Sequence, residues 1–250
     1  PGVEFANIDL AGTTTNTIDT LNMADLTKIT VTGSQDLTVA NPIAATTFDE
    51  LDAGLMTGGV TITFPDAASD TVLIATGTGD DDITAGAAGD VATATLGAGD
   101  DRLALGGFTD GTDSADGGAG ADTIALPNAA ATGISGSLAD LHDFEILELT
   151  DGISGDLTLS YFGSITKLIL TAAIAGDSTV TVPSGTEIVV EASDVGAHAL
   201  SITSGPLAFD ALTLSLENGG VAFGDLATLR ADVRCWWAWD AEPDEAPDAG

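Results

Sequence analysis

Residues Thr76-Gly77-Thr78-Gly79-Asp80-Asp81-Asp82-Ile83-Thr84 begin a stretch of glycine, aspartate and small residues that extends to position 126. Two further blocks of nine follow the same pattern, LGAGDDRLA at 96–104 and GGAGADTIA at 117–125. All three blocks fit G-G-x-G-x-D-x-U-x, in which U is a large apolar residue. The glycines allow a tight turn that directs carbonyl groups inward, and the apolar residue begins a short strand. The stretch therefore predicts stacked turns of an all-β protein, a parallel β-solenoid or β-roll.

The spacing of the blocks predicts how they stack. They begin at positions 76, 96 and 117, so each start is about two nonapeptides after the last. Because successive turns of a roll alternate between two edges, we expect the three blocks in one stack, with Asp81, Asp101 and Asp122 in register. The intervening segments 85–95 and 105–116 would form the opposite edge. A flexible Gly/Asp linker is the alternative, but three matches in phase, each with its apolar residue, disfavour it.

The oxygen-rich turns predict a calcium site. Carboxylates and backbone carbonyls are the hard oxygen ligands that Ca²⁺ takes, at about 2.3–2.6 Å. We expect at least two ions, one between the first and second blocks and one between the second and third, with Asp101 serving both. The predicted ligands are the carboxylates of Asp81, Asp101 and Asp122 and the carbonyls near Gly77, Gly79, Gly97, Gly99, Gly118 and Gly120. Further candidates are Asp80, Asp100, Asp90, Asp110 and Asp113.

The charge of the chain limits its partners. It carries 39 acidic residues against 5 lysines and arginines, a formal net charge of −34. Nucleic acid and anionic membranes are therefore excluded as direct partners except through bridging cations, and no apolar run is long enough to predict membrane insertion. A hydrophobic content of 44% argues against a disordered chain. The acidity is more readily understood if metal ions neutralise part of it.

The rhythm of short strands and turn residues divides the chain into four parts. We expect an N-terminal β-solenoid segment at 1–70, the calcium-binding roll at 71–126 and a second solenoid segment at 127–222. A β-sandwich is the alternative for the N-terminal strands. Residues 223–250 are predicted as a cap with a helix at 223–233, followed by a disordered acidic tail. Predicted strands include 5–10, 46–51 and 178–182, and a short helix is predicted at 136–142.

Motifs of catalysis are not found in the sequence. It contains no G-x-S-x-G, no H-E-x-x-H, no Walker loop and no cysteine pair for zinc. Its two histidines, His142 and His198, are not beside a recognisable nucleophile. We therefore expect a protein that is not an enzyme.

The nonapeptides resemble those of RTX proteins, which Gram-negative bacteria secrete and which fold on meeting extracellular calcium. The flanking segments are most similar to the surface-layer (S-layer) proteins of alphaproteobacteria, as in NTIDTLNM at 16–23 and KITVTGSQ at 28–35. This resemblance implies type I secretion, a location at the cell surface and calcium-dependent assembly of identical subunits into a two-dimensional lattice. It also implies contact with cell-surface lipopolysaccharide or glycan through other parts of the full-length protein. The Trp-rich, Cys-containing end before the acidic tail departs from the usual secretion signal.

Two functions from different classes follow from these observations. The first is a structural surface-layer subunit that uses Ca²⁺ to fold and to assemble. The second is the calcium-binding roll of a type I-secreted hydrolase or adhesin, whose active part lies elsewhere. Solenoid-like strands on both sides of the roll favour the lattice protein.

Overall fold

The computed structural model describes residues 2–43, 45, 47–64, 72–87, 91–108, 112–191, 198–204, 213–216 and 228–231. The described residues form a parallel β-solenoid with almost no helix, which confirms the predicted all-β fold. Consecutive strands alternate between sheets, and within each sheet strands that are two places apart along the chain pair in parallel.

Three sheets make up the sides of the solenoid. The seven-stranded sheet contains β1 (Phe5–Leu10), β3 (Lys28–Gly33), β5 (Glu50–Met56), β7 (Val72–Ala75), β9 (Val91–Thr95), β11 (Ser114–Asp116) and β13 (Leu141–His142). The ten-stranded sheet contains β2 (Asn16–Ile18), β4 (Leu37–Val39), β6 (Val60–Thr63), β8 (Asp82–Ala87), β10 (Arg102–Gly106), β12 (Thr123–Leu126), β14 (Ile146–Leu149), β16 (Lys167–Leu170), β18 (Glu187–Val190) and β20 (Thr213–Leu216). The four-stranded sheet contains β15 (Gly155–Thr158), β17 (Ser178–Val182), β19 (Ala199–Ser204) and β21 (Thr228–Ala231).

The core is a column of aliphatic side chains between the sheets. The apolar residue of each nonapeptide lies in it, since Ile83, Leu103 and Ile124 have no exposed surface and occupy paired positions on β8, β10 and β12. The residues directly before them, Asp82, Arg102 and Thr123, are at least partly exposed, as the two-residue period of a strand requires. Stacked side chains of this kind remove apolar surface from water at about 25 cal/mol per Å², so each coil is held chiefly by its contacts with the next.

The strands predicted at 5–10 and 178–182 are confirmed as β1 and β17. The strand predicted at 46–51 was placed too early, because β5 covers Glu50–Met56. Gly54 within β5 is of a type that favours turns, but here the pairing of β3 with β5 shifts register between Thr30 and Thr32. Such an irregularity takes up an extra residue and lets the strand continue.

Two helix predictions were wrong. The segment 136–142 is not helical: Leu141 and His142 form β13, and the α-helix α1 covers Asn128–Gly133 instead. Pro127 before this helix and the alanines within it favour helical structure. A second short helix, of the 3-10 type, covers Leu159–Phe162.

The helix predicted at 223–233 is contradicted at Thr228–Ala231, which forms β21 and pairs with β19. Pairing with a neighbouring coil here overrides the local helical pattern. The predicted tryptophan cap and acidic tail lie outside the described residues. No helix among the described residues is long and apolar enough to cross a membrane.

Candidate metal centre

The three glycine turns stack directly on one another. The amide of Ala98 donates to the carbonyl of Gly77 at 2.9 Å, and the amide of Ala119 donates to the carbonyl of Gly97 at 2.9 Å. The segments at 85–95 and 105–116, where described, contribute β9 and β11 to the seven-stranded sheet. The predicted single stack, with its opposite edge formed by the intervening segments, is therefore confirmed.

Glycine is required where these turns touch. Gly97 and Gly118 have φ of 97° and 95°, in the region that side chains disfavour. A Cβ atom at Gly118 would lie directly against the carbonyl oxygen of Gly97, and one at Gly97 against that of Gly77. Gly99 and Gly120 repeat the arrangement one step further along the turn. The turns can stack at this distance only without side chains, which crowds carbonyl oxygens between them.

The aspartate that recurs in each block faces the inside of the solenoid. Asp81, Asp101 and Asp122 are 2%, 1% and 0% exposed and lie in register just before β8, β10 and β12. We call these three residues the aspartate column. In the two preceding coils the same inward position holds Leu37 and Val60, both fully buried. Carboxylates thus replace aliphatic side chains in one continuous row.

Hydrogen bonds along the column satisfy half of each carboxylate. Oδ1 of each aspartate accepts the backbone N–H of the preceding turn: Asp81 from Val60 at 2.6 Å, Asp101 from Asp81 at 2.8 Å and Asp122 from Asp101 at 2.8 Å. Oδ2 of all three is buried and has no hydrogen-bond partner. Three acceptor oxygens in a row are therefore left without a donor or a counter-ion.

Burial makes the ionised state of the column unfavourable. Loss of solvation raises the pKa of Asp81 to about 6 and that of Asp101 to about 7, and burial also raises the pKa of Asp122. The like charge of neighbouring acids adds to this effect in each case. A carboxylate buried without a partner is costly, so the negative charge of the column at neutral pH destabilises the fold, and a cation beside it would offset this cost.

A second row of carboxylates lies outside the column and runs in the opposite direction. Oδ1 of Asp80 accepts the N–H of Asp100 at 2.9 Å, and Oδ1 of Asp100 accepts the N–H of Ala121 at 2.9 Å. Both residues are exposed. Asp36, which the sequence did not single out, does the same for Gly59 at 2.9 Å. These exposed side chains accept hydrogen bonds on the solvent side of the stack, whereas the aspartate column lies on its inner side.

Among the described residues, the remaining predicted carboxylate, Asp113, lies apart from the column. Asp113 is buried just before β11, beside the seven-stranded sheet, whereas the column borders the ten-stranded sheet. Asp90 and Asp110 lie outside the described residues. The predicted carbonyl ligands of Gly77 and Gly97 each accept one backbone hydrogen bond. A carbonyl oxygen has two lone pairs, so these two retain capacity for a cation.

One member of the inner row was missed by sequence reasoning. Oε2 of Glu145 accepts the N–H of Asp122 at 3.0 Å, so Glu145 continues the column by one coil. It follows Asp122 by 23 residues, whereas the earlier steps are 20 and 21. No glycine block precedes it. The only signal was an acid directly before an apolar strand.

In the described ranges no group of three or more His, Cys, Asp or Glu side chains is arranged to hold a metal ion. The three unpaired Oδ2 atoms and the carbonyl-lined glycine turns nevertheless fit a calcium-binding stack, in which main-chain oxygens complete the coordination. The sequence matches no protein-family model, and neither curated proteins nor solved structures show a significant similarity to it.

Proposed function

We propose that this chain is a calcium-binding structural subunit of a bacterial surface layer, secreted and assembled with copies of itself at the cell surface. The observation that carries the calcium part is the row of three buried Oδ2 atoms without partners, at Asp81, Asp101 and Asp122. Native structures pair nearly all such groups. Because the same unpaired oxygen recurs in three successive coils, we infer that cations bind repeatedly along the stack.

The chemistry of the column favours Ca²⁺ among abundant cations. Carboxylate and carbonyl oxygens are hard ligands, and Ca²⁺ accepts irregular coordination by six to eight of them. Mg²⁺ demands near-octahedral geometry and gives up its waters reluctantly, which suits a buried, carbonyl-lined column poorly. Asp101 would contribute to ions on both sides, because it hydrogen-bonds to both neighbouring members of the column.

The charge pattern supports assembly through divalent ions. Three of the five lysine and arginine side chains of the sequence are in ion pairs within the chain: Lys28 with Glu50 and Asp52, Arg102 with Asp82 and Glu148, and Lys167 with Glu187. These cations are already engaged, so they contribute little to binding the carboxylates of a neighbouring copy. A calcium ion that bridges carboxylates of two subunits would fill that role.

The surface-layer proposal and the alternative, the roll of a secreted hydrolase or adhesin, differ in whether calcium makes copies of the chain assemble. Light scattering during a calcium titration is expected to show growth into large sheets at millimolar calcium, with magnesium at equal ionic strength as the control. Electron microscopy of the product should show a periodic lattice. A protein that orders with calcium yet stays monomeric at high concentration would contradict the surface-layer function and leave the secreted-enzyme roll as the better account.

A further inference from the structure

The row of acids continues beyond the last glycine block to Glu145. Buried carboxylate oxygens without hydrogen-bond partners lie at this end of the row. Asp122 is fully buried and its Oδ2 has no partner, and Oδ1 of Asp116 is also buried without one. Glu145 approaches from the following coil through its hydrogen bond to the N–H of Asp122. None of the ion pairs between described residues includes Asp116, Asp122 or Glu145.

Gly117 lies in close contact with two of these groups. A Cβ atom at this position would lie directly against the carbonyl oxygen of Asp143 and 3.0 Å from the carboxyl carbon of Asp122. Only glycine therefore allows the carbonyl of Asp143 and the carboxylate of Asp122 to pack together here. Asp116, directly before Gly117, carries a further buried oxygen without a partner.

The backbone of the next coil is shaped to present that carbonyl. Asp116 pairs with His142, and the N–H of Gly117 donates to the carbonyl of His142, so Asp143 lies opposite Gly117. Asp143 has φ of 52° and is the one residue other than glycine with positive φ among the described residues. Aspartate tolerates this conformation better than most residues. Asp143 thus stands in the place of a block glycine, and Glu145 in the place of a block aspartate.

We propose that Asp122, Glu145 and the carbonyl of Asp143 form an additional divalent-cation site, beside Gly117, at the C-terminal end of the column. This inference rests on the proposed calcium function and extends it beyond the three nonapeptides to residues outside the pattern. The side chains do not form a closed cage by themselves, so backbone oxygen and water complete the coordination, as is usual for Ca²⁺.

Counting bound calcium in the full chain tests this site. Native mass spectrometry and calorimetry with CaCl₂ should find one ion fewer in Glu145→Gln than in the wild type. Glutamine keeps the acceptor for the N–H of Asp122, so the coil retains its hydrogen bond. Glu191→Gln, which changes an exposed glutamate, is the matched control and should bind as many ions as the wild type.

Gly117→Ala, whose Cβ atom would push the carbonyl of Asp143 and the side chain of Asp122 out of place, should lose the same ion. A crystal structure of the calcium-bound wild type should show an ion between Asp122 and Glu145, and this measurement does not depend on any variant folding. Unchanged calcium number and affinity in Glu145→Gln, or no ion at that position, would overturn the additional site. If Asp101→Ala still loses calcium in that case, the proposed function stands; if the wild type binds none, both fail.

Discussion

The coils at 28–64 and those at 76–126 share one fold but fill the same inward position with opposite chemistry. Leu37 and Val60 occupy it in the first region, and Asp81, Asp101 and Asp122 in the second, all in register along the ten-stranded sheet. Aliphatic stacking provides its own driving force for folding, since it removes apolar surface from water. A stack of buried carboxylates does not. The comparison indicates that a solenoid can keep its geometry while the stabilising contacts come from a bound ligand instead of from aliphatic side chains of the chain.

Removal of calcium should have the largest effect and should divide the two regions. With ten aspartates, one basic residue and twelve glycines in 76–126, ordering this stretch without cations means overcoming charge repulsion and high backbone entropy. We expect chelation to abolish its amide protection while the strands at 28–64 stay partly protected. Hydrogen exchange followed by mass spectrometry measures both regions in one sample. Equal protection of 76–126 with and without chelator would remove the distinction.

Substitution of the middle aspartate should have the next largest effect. Asp101 lies between two neighbours of the column, so Asp101→Ala is expected to weaken two ions and to lower calcium affinity by about 10–100-fold. Asp81→Ala and Asp122→Ala should do less. Asp156→Ala, which removes an exposed aspartate on β15 in the four-stranded sheet, is the matched control. Calorimetric titration that gives the same binding for all of these variants would contradict the shared role of Asp101.

The pH dependence should be opposite in the presence and absence of calcium. The pKa values of Asp81 and Asp101 are raised to about 6 and about 7, so the folded apo protein holds protons that the unfolded chain releases. Its stability should be greatest at low pH and fall as pH rises through 6 to 7. One pKa unit corresponds to about 1.4 kcal/mol, so the total change is several kcal/mol.

Calcium competes with those protons, so its affinity should rise over the same pH range. Urea unfolding between pH 5 and 8, with chelator and with excess calcium, measures both trends. The coils at 28–64 provide the internal reference, since aliphatic residues fill their inward position. Apo stability that increases with pH across this range would show that the column is not buried as described.

Replacing Asp81, the first member of the aspartate column, with an aliphatic residue should have the smallest effect. Asp81→Val extends the aliphatic column of Leu37 and Val60 by one coil and removes a buried charge, but it leaves the N–H of Val60 without its acceptor. The gain from burying a valine, about 1.5–3 kcal/mol, is offset by about 1–3 kcal/mol for the unpaired amide. At pH 8 without calcium we expect a net gain of about 1–2 kcal/mol, because the cost of the charge disappears. Thermal unfolding with chelator measures this gain, and a loss instead would show that the N–H acceptor matters more than the charge.

The glycine pattern predicted the stack and its aspartates in register because each block encodes its geometry locally. Gly118 has no room for a side chain, and Ile124 has a fixed place in the core, so both leave a signal in nine residues. Glu145 left only an acid directly before an apolar strand, because its role depends on the coil before it. The strand through Gly54 was placed too early because glycine is typical of a turn, whereas β5 takes up one residue more than β3 at this point and continues. Contacts between coils are only partly encoded in the sequence of a single coil.

The two rows of carboxylates give each coil of the glycine region an acceptor for both of its neighbours. Each inner acid accepts the N–H of the turn before it, from Asp81 to Val60 through Glu145 to Asp122. The outer acids Asp80 and Asp100 accept the N–H of the turn after them. A coil added at either end of this region would therefore meet a carboxylate that can receive its N–H, and the stack can extend in both directions along its axis.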